Sequence, residues 1–358
     1  MTRRSAVVAS AVAAFGCWTG CASGPAVGRA DERFERCSDP AAQEAYDRAE
    51  ALAQRGRQAE SIQYYRTVVS TCVDYLPAHV RYQDVALALG GVAEQDMRVF
   101  YAQRADQSGS PVQPYLVSRL VDDDADRLPL LAMAIERDRS FFRAYLDRAM
   151  IYKDINRIEV ALDNLDRAVA TNCNDPVANR ELAEVLYGLG RGEEAASYFE
   201  SYFELRPDDL EAKRRYLGLL TYSLGRLDAA ADVALELLQY DDKDAAVRMD
   251  VAAIRWQRGD FEGARAEYHR VLDLDPTMDR AVLNLGNLYY EALPAGTEEG
   301  RREFWPKARA AYRYFVGLRQ AEGLYDVLDA HVGVPYRLQQ IEALLGPGPE
   351  QEPGLDDF

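Results

Sequence analysis

A chain of 358 residues with a formal net charge of −17 is too acidic to attract nucleic acid or anionic lipid headgroups; so negative a surface favours solubility or a basic partner. Its length would ordinarily suggest about two domains, but that reasoning fails for repeat arrays, whose length follows repeat number. Ala, Leu, Glu and Arg are abundant, and Tyr and Leu are spread along the chain rather than clustered in alternating strands, which argues for an all-α protein.

The first residues stand apart. Arg3 and Arg4 precede an apolar run from Ala6 to Phe15, followed by small residues and two cysteines, Cys17 and Cys21. This pattern predicts an export signal over residues 1–20, too short to span a bilayer, which needs roughly 20 apolar residues. No later stretch approaches that length. Thr19-Gly20-Cys21 resembles the lipobox of bacterial lipoproteins, in which the cysteine sulfur receives diacylglycerol, so Cys21 is the expected lipidation site. An ordinary cleaved signal without lipid is the alternative. Ala22 after the cysteine implies, by similarity to such lipoproteins, transport to the periplasmic face of the outer membrane. Removing residues 1–20 moves the formal charge from −17 to −19. Residues 21–40 read as a linker.

Beyond the linker one period dominates. Small residues recur at Ala149, Ala183, Gly218, Ala252 and Gly286, at steps of 34, 35, 34 and 34. Asn156, Gly190, Gly225 and Gly259 follow the first four in one register, and Ala161, Ala195, Ala230 and Ala264 in another. Small residues let helix backbones approach, and Asn or Gly tolerates the left-handed turn between two helices. Leu165, Phe199, Ala234 and Tyr268 then fill the groove between hairpins, while Pro207 and Pro276 close two units.

The pattern resembles the tetratricopeptide repeat (TPR), most closely at Ala281 to Tyr290 and at Gly259 to Pro276. The resemblance implies a right-handed superhelical solenoid of antiparallel helical hairpins. Eight TPR-like units are expected over 41–322: 41–75, a degenerate 78–107 with a Gly90-Gly91 turn, 108–141, 142–175, 176–209, 210–244, 245–278 and 279–322. The last carries an expected loop insertion at 292–306, with Trp305 as a candidate contact and a late second helix around Ala308 and Tyr312. Capping helices are expected over 323–345, and a disordered tail, rich in Pro, Gly and acids, over 346–358.

Export would place the cysteines in an oxidising compartment. Cys37 precedes the first helix of the first hairpin and Cys72 ends its second, so the two ends meet; a Cys37–Cys72 disulfide is expected, worth roughly 3–4 kcal/mol in the chain-entropy model. Two thiols are the alternative. Cys173 is expected to pack as a small apolar residue.

The search for chemistry returns little. His79, His269 and His331 fall in different units with no metal-ligand spacing. No serine occupies a nucleophile elbow, Gly188 to Gly192 joins two helices rather than a strand and a helix, and Asp122 to Asp126 lacks the Gly and Glu of a calcium loop. The expectation is therefore a non-enzyme without metal or cofactor. In this family the first helices line the concave face. Tyr187, Tyr222, Trp256 and Tyr290 fall there, four residues after each small position, with Arg180, Arg215 and Tyr216 one turn earlier. They form a candidate partner-binding ladder for an extended peptide, or only the packing of an inner wall. The carboxylate clamp of co-chaperone repeats is not reproduced, since Glu184 follows Arg180 and no lysines accompany Asn284 and Asn287. The expected role is a protein–protein scaffold or assembly factor in the bacterial envelope, membrane-associated through its lipid and binding envelope proteins but no nucleic acid. A carrier of a polysaccharide or peptidoglycan strand is the alternative.

Overall fold

The computed structural model describes residues 32–104, 109–321, 323, 333–348 and 354. The export segment 1–20, the lipidation candidate Cys21, His331, most of the first capping segment and most of the acidic tail lie outside the described residues. Among the described residues the fold is all-α, without strands. The chain divides into two compact units, Met1–Gly188 and Leu189–Phe358.

The first unit is a stack of antiparallel hairpins: α1 (Pro40–Gln54) with α2 (Gln58–Thr71), α3 (Leu76–Leu89) with α4 (Gly91–Ala102), α5 (Val112–Ser118) with α6 (Asp124–Arg137), α7 (Phe142–Asp154) with α8 (Ile158–Thr171), then α9 (Pro176–Gly188). The second begins with α10 (Gly192–Leu205) and continues through α11 (Leu210–Gly218), α12 (Leu227–Tyr240), α13 (Ala245–Gln257), α14 (Phe261–Leu274), α15 (Asp279–Asn287), α16 (Glu298–Ala321) and α17 (Val334–Leu345). Within each unit every helix packs on the next, and first helices of successive hairpins also touch, α3 on α5 and α11 on α13. Each unit is thus a helical-repeat solenoid.

Local sequence explains where the helices start and stop. Asp39, Asp209 and Asp244 cap α1, α11 and α13 by accepting hydrogen bonds from the amides of Ala42, Ala212 and Val247. Between helices the chain turns through a left-handed residue at Gly56, Asn156, Gly190, Gly225 and Gly259, the positions the repeat register assigns to Gly or Asn. Ala149, Ala161, Ala183, Ala195, Ala230, Ala252 and Ala264 are all buried. Gly286 is small for a contact: an added Cβ would lie 2.8 Å from the Tyr312 ring. Gly218 is different, since open space surrounds its missing Cβ; its place in the small-residue register reflects no close approach.

Two first helices end irregularly. α11 continues into a π-helical turn over Leu219–Leu224, and α15 into another over Leu288–Ala292. A π turn accommodates one extra residue in an α-helix, and the 35-residue step from Gly190 to Gly225, which spans the turn after α11, marks such a residue.

The last hairpin corrects the sequence reading. Residues 292–306 are not a loop: the connection is short, and α16 runs unbroken from Glu298 to Ala321 with Pro306 inside it. Proline costs a helix one amide bond, but burial on both sides of it holds the segment, Trp305 being 8% exposed and Ala308, Ala311 and Tyr312 fully buried. α17 caps this hairpin, with Pro335 in its first turn and Val334 and Ile341 buried. Cys173 is half-buried in the connection between α8 and α9, not a core residue.

Residues 32–39, expected as part of a linker, run as a strap. A short helical turn at Glu32–Phe34 presents Phe34, 5% exposed, edge-on to Phe141 at 5.5 Å, and Phe141 in turn meets Tyr115 at 5.3 Å. Glu35 accepts from Arg143 at 2.8 Å, and Arg33 pairs with Asp138. Cys37 and Cys72 form a disulfide, Cα atoms 5.8 Å apart.

Candidate functional site

The face made by the first helices of the second unit, α11, α13 and α15, carries a cleft of about 230 Å³. One wall is Ala253, Trp256 and Gln257 of α13, at helical spacing on one face. Asn284, Asn287 and Glu291 from α15 and its π turn form the other, and Tyr268 of α14 completes the lining. The amides are oriented. Gln257 donates to the Thr221 carbonyl at 3.3 Å, and the Asn287 side-chain oxygen accepts from Tyr312 at 2.9 Å and from Arg337. Arg337 also pairs with Glu291 at 2.6 Å. Burial pushes the Tyr268 hydroxyl up to about 12, against the hydrogen bond from Asn284 and the charge of Arg280.

Of the seven ladder residues, Arg180 and Tyr187 belong to the first unit and the other five to the second. Trp256 lies half-buried in the cleft wall, edge-on to Phe261 at 6.4 Å. Tyr222 is 54% exposed, and its hydroxyl donates to Asp250 of α13 at 2.7 Å. Tyr187 is exposed at the end of α9. Arg180 lies against Glu181 at 3.3 Å and Arg215 against Glu211 at 3.0 Å.

Two rungs are corrected. Tyr216 is core, only 7% exposed, tilted against Phe199 and Phe203 and donating to Glu200 at 2.9 Å. Tyr290 is stacked on Trp305, ring centroids 5.0 Å apart, with the Arg337 guanidinium over it. Trp305 donates its indole N–H to the Tyr290 carbonyl at 3.0 Å, so it serves the interior, not a partner. Tyr290 and Tyr222 sit in the two π turns. An extra residue rotates the helix end by about 100°, so a register counted from one end of α11 misplaces residues at the other.

Sequence reasoning also missed a register of withdrawn acids. Asp147 of α7 and Glu181 of α9 occupy the same repeat position in the first unit, and Asp250 of α13 occupies it in the second. Desolvation pushes the Asp147 carboxyl up, opposed by Arg119, Arg127 and Arg143 and by a hydrogen bond with Tyr115. Glu181 is buried and holds Lys153 and Arg180. Desolvation likewise raises Asp250, opposed by Tyr222 and Arg280. The 34-residue step from Asp147 to Glu181 and the 69-residue step from Glu181 to Asp250 were the available signal. Each acid is held by a neighbouring hairpin or its own helix, so these carboxylates are already engaged within the repeats.

Among the described residues no group of three or more His, Cys, Asp or Glu side chains could hold a metal ion, and no helix is long and apolar enough to cross a membrane.

A helical-hairpin solenoid with an aromatic cleft on its first-helix face defines a class of macromolecular binding repeats. A tetratricopeptide-repeat family model matches residues 146–209, and a TPR-repeat model matches 252–292. Residues 146–209 and 252–292 are thus tetratricopeptide repeats, and repeats of this kind bind protein partners. No curated protein matches the chain. Similar solved structures include the C-terminal part of a TPR repeat-containing protein from Cytophaga hutchinsonii, 16% identical, covering 66% of this chain and 98% of that one, with a TM-score of 0.47. A tetratricopeptide repeat protein from Parabacteroides merdae is 14% identical over 68% and 96%, TM-score 0.44. YrrB, described as a TPR protein with an unusual peptide-binding site, is 18% identical over 55% and 95%, TM-score 0.43.

Proposed function

We propose that this protein is a non-catalytic scaffold or assembly factor of the bacterial cell envelope, holding a protein partner on the first-helix face of its second unit. The observation that carries the site is the cleft of about 230 Å³ in which the half-buried Trp256 faces amides and a carboxylate across α13 and α15. A half-open tryptophan beside oriented polar groups is the composition of an interface anchor. Exposed Tyr222, one hairpin earlier, extends the contact. Support for the envelope setting is the Arg3-Arg4 start, the apolar run to Phe15, the cysteine at position 21 and the Cys37–Cys72 disulfide, which suits an oxidising compartment. The lipid on Cys21 and an outer-membrane destination belong to the same proposal.

Capture with the tagged protein from detergent-solubilised membranes tests this reading. A defined protein recovered by the wild type, and lost with Trp256→Ala while helicity is unchanged, supports it. Recovery unaffected by Trp256→Ala overturns the site. The alternative ligand, a polysaccharide or peptidoglycan strand, loses the regular ladder that suggested it, because Tyr216 is buried and the Tyr290 face is covered. Glycan binding by the purified protein with no protein recovered would reinstate it. Release of the protein from membranes by substituting Cys21→Ser, with loss of labelled fatty acid, tests the anchor.

A further inference from the structure

We infer that residues 32–39 are a disulfide-latched strap: while Cys37–Cys72 is intact, Arg33 and Phe34 wall a cavity of about 400 Å³, and reduction of that bond releases them. The other lining residues come from three places in the first unit: Asp74 between α2 and α3, Gly109 to Pro111 before α5, and Arg137 and Asp138 at the end of α6. The strap thereby spans from the first hairpin, where Cys72 ends α2, to the fourth, where Phe34 meets Phe141 and Glu35 meets Arg143.

The way the strap is held makes the disulfide decisive. Among the described residues, no backbone–backbone hydrogen bond ties residues 35–38 to the hairpins. The side-chain contacts include one buried ring and two ion pairs, Arg33–Asp138, in which Arg33 is open and Asp138 largely buried, and Arg143–Glu35, each about a third exposed. Exposed pairs contribute little, and a single buried ring does not offset the entropy of ordering so many residues. A covalent pin at residue 37 changes this balance, because Phe34 then searches only a short tether and its socket is met at high effective concentration.

Both cysteines are half-buried, within reach of a small dithiol. In the exchange, one reductant thiolate attacks a sulfur of the bond; the second displaces the mixed disulfide, leaving two protein thiols and a cyclic oxidised reductant. Departure of the strap uncovers the Phe141 and Tyr115 rings and exposes Asp74, whose Oδ1 is buried without a hydrogen-bond partner. The device gates an aromatic socket by redox state.

Chymotrypsin reads the state directly, since the Phe34–Glu35 bond cannot enter a protease while the ring is packed on Phe141. In the full-length protein this bond should resist cleavage when oxidised and be cut at least tenfold faster after treatment with dithiothreitol, with helical circular dichroism unchanged. Cys37→Ser, a substitution outside every helix, should be cut at the fast rate without reductant. Equal resistance with and without reductant would mean the side-chain contacts hold the strap alone, and equal lability would mean it never docks. Loss of helicity on reduction would make the bond a staple for the whole hairpin. Each of these three results overturns the latch.

Discussion

Lowering the pH from 8 to 5 drives a proton toward His79, and the second hairpin has nowhere to put the charge. The ring is fully buried on α3. Its Nε2 lies 3.0 Å from the Val73 carbonyl, which can only accept, so that nitrogen carries the hydrogen and Nδ1 accepts from the Tyr101 hydroxyl at 2.8 Å. Desolvation, with Arg104 adding repulsion, depresses the imidazole from 6.5 to about 4, while the bonds to Val73 and Cys72 work the other way. A group held neutral by the fold gives stability that is present above its unfolded value and is lost as the pH falls toward its folded one. Linkage between 6.5 and 4 gives a loss of about 2 kcal/mol by pH 5 and about 3 kcal/mol by pH 4, levelling off just below. Hydrogen exchange of peptides spanning α3 and α4, corrected for intrinsic rates, should report that loss as faster opening. His79→Gln should abolish this part of the pH dependence. The raised carboxyls of Asp147 and Asp250 favour acid instead and are common to both proteins. An imidazole that titrates near 6.5, or the same pH dependence in the variant, would refute the reasoning.

Glycine positions separate packing from register. Gly286→Ala drives a Cβ into the buried Tyr312 ring and should cost about 1–3 kcal/mol in denaturant unfolding. Gly218→Ala meets open space within a helix and should stabilise by up to about 1 kcal/mol; a loss there would show that the small-residue register acts through contact after all. Asn156, at φ 58°, should lose about 1 kcal/mol as Ala but tolerate Gly within roughly 0.5 kcal/mol, measured the same way.

The repeat was legible because its signals are local. Asp at a helix start, Gly or Asn in the left-handed turn and Ala at two fixed places in a hairpin each act within one turn of the chain. Repetition every 34 residues makes them visible without homologues. The two cysteines could be brought together on paper because a hairpin returns to its start. The candidate site was less legible. Trp256 and Tyr222 stay available on the face assigned to them, but Tyr216 and Tyr290 do not, since solvent access depends on which neighbours arrive. Phe199 and Phe203 reach Tyr216 from the preceding helix, and Trp305 reaches Tyr290 from α16.

The amino-acid order alone determined an all-helical array, its period and its turns, because each depends on spacing within a hairpin. Tertiary structure decided what spacing does not encode. It absorbed the extra residue of α11 in a π turn, carried Pro306 through a continuous helix, buried the acids against neighbouring cations, and drew Phe34 across to Phe141. Those outcomes rest on desolvation and on contacts between residues far apart in sequence, whose energies exist only once the hairpins have stacked.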